Sequence, residues 1–514
     1  MFNMTIQLLA SFLFFFCLPV IFFILAKASS GATANTKKNS HKKVVPKSYP
    51  LIGSYLDVVA NSDRRIQWLS DIVLISPANT YILRRFLGQR NVITANPAVV
   101  QHILKSRFPV YQKGHAFRET LKDFLGNGIF NTDGDNWKFQ RQVASHEFNT
   151  RSLRKFVENV VETELNDRLI PILTMAAAQK QVLDLQDILQ RFAFDNICKI
   201  AFGFDPEYLT QSLGPSKFAK AFDDATEISS RRSSSYALPL IWKIQKHLNI
   251  GSERRLREAV SEVREFAKNI IREKKRELAK GASLESADML SRFLSSGHSD
   301  EEFVADIVIS FILAGKDTTS AALTWFFWLL SKNPEVEKKI VNEAREKSES
   351  PLYDEVKDMI YTHAALSESM RLYPPVPMDA KEVMADDVLP DGTMVRKGMM
   401  VTYHVYAMGR MEKLWGDDWA EYKPERWLER EGNGDAETWR YVARDSYSYP
   451  VFQAGPRICL GKEMAYLQMK KVVGAIVTRF RVVPAMAQEV EPQFVSFLTS
   501  KMKGGFPVKI HALA

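Results

Sequence analysis

Hydrophobic and polar positions divide the chain into an unbroken apolar opening and a long mixed remainder. Residues 1–26 carry no charged side chain, and from Ile6 to Ala26 the run is rich in Phe and Leu. About 20 apolar residues in a helix span the hydrocarbon layer, so this run predicts a transmembrane anchor. Six lysines and no acid follow over residues 27–47 (Lys27, Lys37, Lys38, Lys42, Lys43, Lys47). A basic flank after the apolar run, rather than before it, predicts an uncleaved anchor with the rest of the chain cytosolic. The prolines at 46 and 50 predict a stiff, extended connector. Beyond it, short β-rich runs at 80–83 and 91–94 precede a helix ending near Leu104. From about 135 to 280 the pattern is mainly helical. On the charged segment 252–281, Leu256, Val260, Val263, Ala267 and Ile270 recur at helical spacing. A long apolar helix is expected over 303–331, short strands and Pro/Gly-rich loops over 373–457, a helix over about 459–480, and a hairpin in the tail. The class is α+β, mainly helical. The expected segments are an anchor (1–27), a basic, Pro-containing linker (28–53) and one large domain (54–514), with no internal repeat.

Composition changes this picture little. The 514 residues, 46% hydrophobic and 25% charged, suffice for a large buried core. The net charge is +9, but without the six flanking lysines 63 basic residues face 60 acidic ones, or +3. The excess therefore belongs to the membrane flank. With no basic stripe interleaved with aromatics, a nucleic-acid partner is not expected. The three cysteines, Cys17, Cys198 and Cys459, form no CxxC pair, which argues against a zinc site or a disulfide framework.

One of those cysteines carries the strongest chemical signal, in Phe452-Gln-Ala-Gly455-Pro-Arg457-Ile-Cys459-Leu-Gly461. An iron with an open distal position and a strong electron donor needs a thiolate on its proximal side. The loop glycines allow close backbone approach. A helix expected to start at Cys459 would aim its positive end at the sulfur, and Arg457 would pair with a carboxylate of the cofactor. Three further motifs lie upstream in a fixed order. Trp137 and Arg141 sit one helical turn apart. The long apolar helix contains Ala314-Gly315-Lys316-Asp317-Thr318-Thr319. Its length would suit a second membrane span, but Lys316, Asp317 and Asp306 argue for a buried helix instead. Glu368 and Arg371 share a helix face, followed by Pro374-Pro375 and by Pro424-Glu425-Arg426-Trp427.

Together these motifs resemble the cytochrome P450 family. The resemblance implies that fold, a haem b whose iron is ligated by Cys459, and haem contacts from Trp137, Arg141, Arg457, Phe452, Gly455 and Ala314. It gives Asp317 and Thr318 the delivery of protons during oxygen activation, with Ala314 and Gly315 leaving room for dioxygen. It makes Glu368, Arg371 and Arg426 a buried structural cluster. Stretches such as Leu125–Gly134, Phe194–Lys199 and Gly504–Pro507 are similar to the plant fatty-acid ω-hydroxylases. The implied reaction hydroxylates medium- and long-chain fatty acids at or near the terminal carbon with O2 and NADPH. A sister group oxidises jasmonoyl–amino acid conjugates, and the core motifs do not separate the two. A haem-thiolate hydroperoxide isomerase or dehydratase would need no acid–alcohol pair, and neither would a non-catalytic haem carrier. No nicotinamide or phosphate-binding glycine motif is present, so electrons must come from a partner. The resemblance implies NADPH–cytochrome P450 reductase at the endoplasmic reticulum membrane, with the chain acting as a monomer. Lys138, Lys462, Lys470 and Lys471 are candidates to steer that partner, and equally readable as solvated lysines. Candidate channel residues are Phe124, Ile129, Phe130, Val308, Phe311, Ile312, Val376, Met378, Phe497 and Leu498, though each reads more simply as core. Arg231 and Arg232, in a Ser-rich loop, could meet a carboxylate but read more simply as solvated. Residues 237–242 could dip into the bilayer.

Overall fold

The computed structural model describes residues 45–513 except 149–150, 211–213, 215–216, 235–238, 281–287, 296–299, 348–352, 432–437 and 487–490. The expected anchor and most of the lysine-rich linker lie outside the described residues. Residues 45–514 form one compact unit. The proline segment is not extended: Tyr49 and Gly53 exchange backbone hydrogen bonds of 3.0 and 2.9 Å in a tight turn.

The two β-rich runs are an antiparallel pair, β1 (Thr80–Arg84) and β2 (Arg90–Thr94). With β3 (Tyr111–Gln112), β4 (Asp379–Val383) and β5 (Met400–Tyr403) they build a five-stranded sheet of order β1-β2-β5-β4-β3. Only β2 and β5 pair in parallel within it. The helices that shape the site are α1 (Gly114–Leu125), α2 (Gly134–Phe148), α3 (Leu185–Phe202), α4 (Lys217–Ser234), α5 (Pro239–Leu248) and α6 (Gly251–Ala279). The long apolar helix comprises α7 (Glu301–Ile312), a π turn (Leu313–Asp317) and α8 (Thr318–Lys332). α9 (Ile360–Leu372) and α10 (Lys462–Val477) complete the frame, and β6 (Phe494–Ser496) pairs with β7 (Ser500–Met502) as the tail hairpin.

Local sequence explains these boundaries. α3 starts where the Asp184 carboxylate accepts from the Gln186 and Asp187 amides, and ends at Gly203 with φ +62°. α7 starts at Asp300, whose carboxylate accepts from the Glu302 amide. The expected helical stripe on α6 is buried at Leu256, Val263, Ala267 and Ile270, while Val260 stays at its edge. As expected, the long helix is a core helix: Val304, Ala305, Val308, Ile309 and Ile312 are fully buried. Its acid Asp306 accepts from the Asn127 amide at 2.7 Å and from Arg264 at 2.6 Å. Gly126 and Gly128 are required here, because a Cβ on either would collide with Asp306 or Ser310.

Candidate active site

Back-bonding hydroxyls mark the centre of the long helix. Thr318 Oγ1 donates to the Ala314 carbonyl at 2.6 Å, Ser320 to Lys316 at 2.7 Å and Thr324 to Ser320 at 2.7 Å. Such bonds compete with the helical ladder, and here the ladder widens into the π turn over Leu313–Asp317. Leu313, Ala314 and Gly315 of this turn line a cavity of about 580 Å³, within the range of small-molecule sites.

Phe311, Ala314, Gly315, Thr318 and Thr319 contribute that wall, and Cys459, Phe452, Arg457, Trp137 and Arg141 line the same cavity. The motifs separated by more than 300 residues therefore converge. So do the expected channel residues Ile129, Phe130, Val376, Met378, Phe497 and Leu498. Phe124, Val308 and Ile312 do not line it. Phe124 is fully buried against Phe222, with ring centroids 5.2 Å apart and an interplanar angle of 77°. Val308 lies a turn short of the cavity, and Ile312 is rotated away from it into the core. Gly315 faces α3, where a Cβ would collide with Ile197, so its small size serves helix packing.

Asp317 departs from the simplest expectation too. It is buried and turned from the cavity, with Oδ1 2.9 Å from Lys316 Nζ. Lys316 also reaches Asp223 at 3.2 Å, and Asp223 pairs with Lys501 at 2.9 Å. Burial works against the Lys316 charge, but Asp317 and Asp223 outweigh it and hold the ammonium above its ordinary value. Asp317 Oδ2 finds no hydrogen-bond partner among the described residues.

The cysteine loop is held by the Cys459 amide, which donates to the Phe452 carbonyl at 2.8 Å. Gly455 has φ +63°, and a Cβ there would strike the Leu104 carbonyl, so glycine is demanded by packing against that turn. The helix expected to start at Cys459 starts at Lys462, behind a turn through Gly461. The group acting on the sulfur is therefore the Gly461 amide, ahead of the helix. The surface Cys459 exposes borders the cavity, while at longer range protein encloses it. That enclosure pushes the thiol above its ordinary value, against the Gly461 amide and the Arg141 and Lys462 charges.

Beside the loop lies a cluster rich in positive charge. Arg457 pairs with Asp133 at 2.8 Å and stacks over Trp137 at 4.4 Å. Asp379 is shared by Lys113 at 2.8 Å and Lys381 at 2.7 Å. Arg141 has no carboxylate partner among the described residues. Four cations thus meet two carboxylates. Burial, with the Lys113 and Arg457 charges, lowers Lys381 to about 7 even though Asp379 favours its charge. Burial opposes the charge of Asp379, but the two lysines hold its carboxyl well below the ordinary range. Uncompensated buried cations are costly, and two carboxylates from a bound group would balance the cluster. Haem carries two propionates, so these residues fit it. Lys113, Asp379 and Lys381 are absent from the sequence-based set. Asp379 and Lys381 alternate on β4 and so share a face, which was the available signal.

Four basic residues are not placed as the sequence suggests. Lys470 and Lys471 are buried: Lys470 donates to the Val356 and Lys357 carbonyls at 3.0 Å, and Lys471 pairs with Glu162 at 2.7 Å. Neither can steer a partner, whereas Lys138 and Lys462 are exposed. Arg231 and Arg232 lie on α4, not in a loop. Arg232 is buried, donates to Glu253 at 2.9 Å and Asp123 at 2.8 Å, and sits 4.5 Å over Trp242. With two acids already on it, it is a structural cation.

Glu368, Arg371 and Arg426 stand outside the cavity wall and are joined as expected. Glu368 accepts from Arg371 at 2.7 and 2.8 Å, from Arg426 at 3.2 Å and from Trp427 Nε1 at 3.0 Å. Arg371 spends its other donors on the Gly409, Trp419 and Glu421 carbonyls.

Comparison with known proteins agrees with this arrangement. The family model described as Cytochrome P450 matches residues 46–508. The chain is 70% identical over 467 residues to "Cytochrome P450 94A1" of Vicia sativa, covering 91% of this chain and 90% of that protein. It is 59% identical over 510 residues to "Cytochrome P450 94A2" of the same plant, covering 99% of each. Against "Cytochrome P450 94B1" of Arabidopsis thaliana it is 48% identical over 497 residues, 96% of each. The chain therefore belongs to the cytochrome P450 family of haem-thiolate monooxygenases.

Proposed function

We propose that this chain hydroxylates medium- and long-chain fatty acids at or near the terminal carbon, using O2 and electrons that NADPH–cytochrome P450 reductase draws from NADPH. The observation that carries the reading is the shared cavity. One wall holds Cys459, and Phe130, Phe311, Val376 and Phe497 line it with apolar surface. A terminal C–H bond is the strongest in an alkyl chain, so selective attack needs a narrow apolar channel that presents the chain end alone.

Haem bound through Cys459 would supply the activation of dioxygen. Arg457, Trp137 and Arg141 would hold its carboxylates, together with Lys113 and, behind Asp379, Lys381. Phe452 and Gly455 set the loop carrying the ligand, and Ala314 forms the facing wall. Thr318 is fixed on the cavity wall by its bond to Ala314 O, so its hydroxyl can pass a proton inward. Asp317 Oδ2, which has no partner among the described residues, lies behind it and would relay the proton to it. The apolar N-terminus would hold the chain as a single-pass protein of the endoplasmic reticulum membrane, catalytic unit cytosolic, acting as a monomer.

The test is turnover in membranes with reductase and NADPH, on a saturated fatty acid and on jasmonoyl–isoleucine side by side, with products identified by mass spectrometry. Terminal hydroxylation of the fatty acid is expected. Turnover of the conjugate alone would move the protein to hormone oxidation. Conversion of a fatty-acid hydroperoxide without NADPH would replace hydroxylation by rearrangement.

A further inference from the structure

A second cleft, of about 820 Å³, adjoins the cavity, and Trp242 and Glu119 belong to the walls of both. Arg118 and Lys122 from α1, Lys243 and Lys246 from α5, and Arg257 from α6 line it. Its two lining acids are already engaged, Glu119 with Lys243 at 2.6 Å and Asp133 with Arg457 at 2.8 Å. Lys246 pairs with Asp123 at 2.8 Å. Arg118 and Lys122 bond only neutral oxygens of the loop before α2, Asn131 O at 3.1 Å and Asn127 Oδ1 at 2.6 Å. Among the described residues no carboxylate pairs with Arg118, Lys122 or Arg257. The cleft therefore carries surplus positive charge next to an apolar cavity.

The helix at its rim carries an exposed apolar stripe. Ile241, Ile244 and Leu248 recur along one side of α5 and are 49%, 48% and 58% exposed. Trp242 points inward, where Arg232 stacks on its ring from the cavity side. An amphiphile arriving along the apolar stripe thus meets cations first and an apolar cavity behind the indole.

We propose that this cleft docks the carboxylate of the substrate, with Lys122 and Arg257 as specificity-determining residues and Trp242 as the threshold its chain crosses. The inference rests on the proposed function and sharpens it. The oxidised end lies in the cavity, and the acid end stays at the mouth. A chain in which the acid is replaced by an alcohol would lose this contact and keep the rest.

The experiment is a spectral binding titration of the full-length haem-loaded protein with dodecanoic acid and with dodecanol. In the wild type, raising ionic strength to where screening acts within about 10 Å should weaken acid binding and leave alcohol binding alone. In Lys122→Glu/Arg257→Glu the dissociation constant for the acid should rise about tenfold, and that for the alcohol should move less than twofold. Lys122→Arg/Arg257→Lys should restore the acid. Equal shifts for both ligands, or none for either, would overturn the dock. If dodecanoic acid gives no response in the wild type, the fatty-acid reading fails. Jasmonoyl–isoleucine against its methyl ester then decides the dock by the same comparison.

Discussion

Two buried charge clusters in this chain differ in one respect. Around Glu368 both carboxylate oxygens are bonded, by two arginines, an indole and the Lys423 amide, and Arg371 has a carbonyl for its remaining donors. Around Lys316 the pairing is incomplete: Asp317 keeps one oxygen without a partner among the described residues, in a π turn whose Leu313, Ala314 and Gly315 line the cavity. A satisfied cluster fixes structure, because removing any member strands a charge. An unsatisfied buried oxygen behind a cavity wall is maintained at a cost, and the proposed proton relay gives that cost a reason.

The contrast can be broken most forcefully at Glu368. Glu368→Ala leaves Arg371 buried without a counter-charge and Arg426 with Asp418 alone, a loss of about 3–5 kcal/mol, which is a large share of a domain's stability. Little folded protein should accumulate, and the denaturant midpoint of what remains should fall. An unchanged midpoint would refute the structural role. At the other cluster, Asp317→Asn and Thr318→Ala should fold and continue to consume NADPH. Product formed per NADPH should drop, by up to roughly 100-fold for the acid. Unchanged coupling in either variant would remove that residue from proton delivery.

The smallest effect sharpens the reading of the cationic cluster. Lys381 titrates near 7 in the folded chain and near 10.5 when unfolded. Between those values the unfolded chain holds a proton that the folded chain lacks, so stability rises with pH across that window. The penalty is fully present below about pH 7. Lys470, lowered to about 8 by burial, acts in the same direction. Carboxylates of bound haem would favour the charged Lys381 and flatten this dependence. Denaturation of haem-free and haem-loaded protein at pH 7 and pH 9 checks it: equal pH dependence would place Lys381 outside the carboxylate cradle.

What the sequence disclosed follows the range of each interaction. The cysteine loop, the paired Trp137 and Arg141 and the Glu368–Arg371 pair are local patterns; the structure places the first two on one cavity and joins the third, with the helix after the cysteine starting at Lys462 instead. The long helix was legible as buried because its charges sat mid-run. Lys113 and Asp379 meet across 266 residues, and no local pattern announces such a pair. Lys470 and Lys471 look like surface lysines in isolation. The burial of their helix between the Glu162 and Val356 segments makes them internal donors instead. A serine-rich run around Arg232 reads as a loop, whereas Ser229, Ser230, Ser233 and Ser234 belong to α4.

The most direct measurement is one turnover assay in isotopically heavy dioxygen, with reductase, NADPH and a saturated fatty acid, and with the position and isotope of the new oxygen read by mass spectrometry. The account predicts a hydroxyl at or next to the terminal carbon that carries the heavy atom. Product whose new oxygen comes from water, or product made without NADPH from a hydroperoxide, would contradict it.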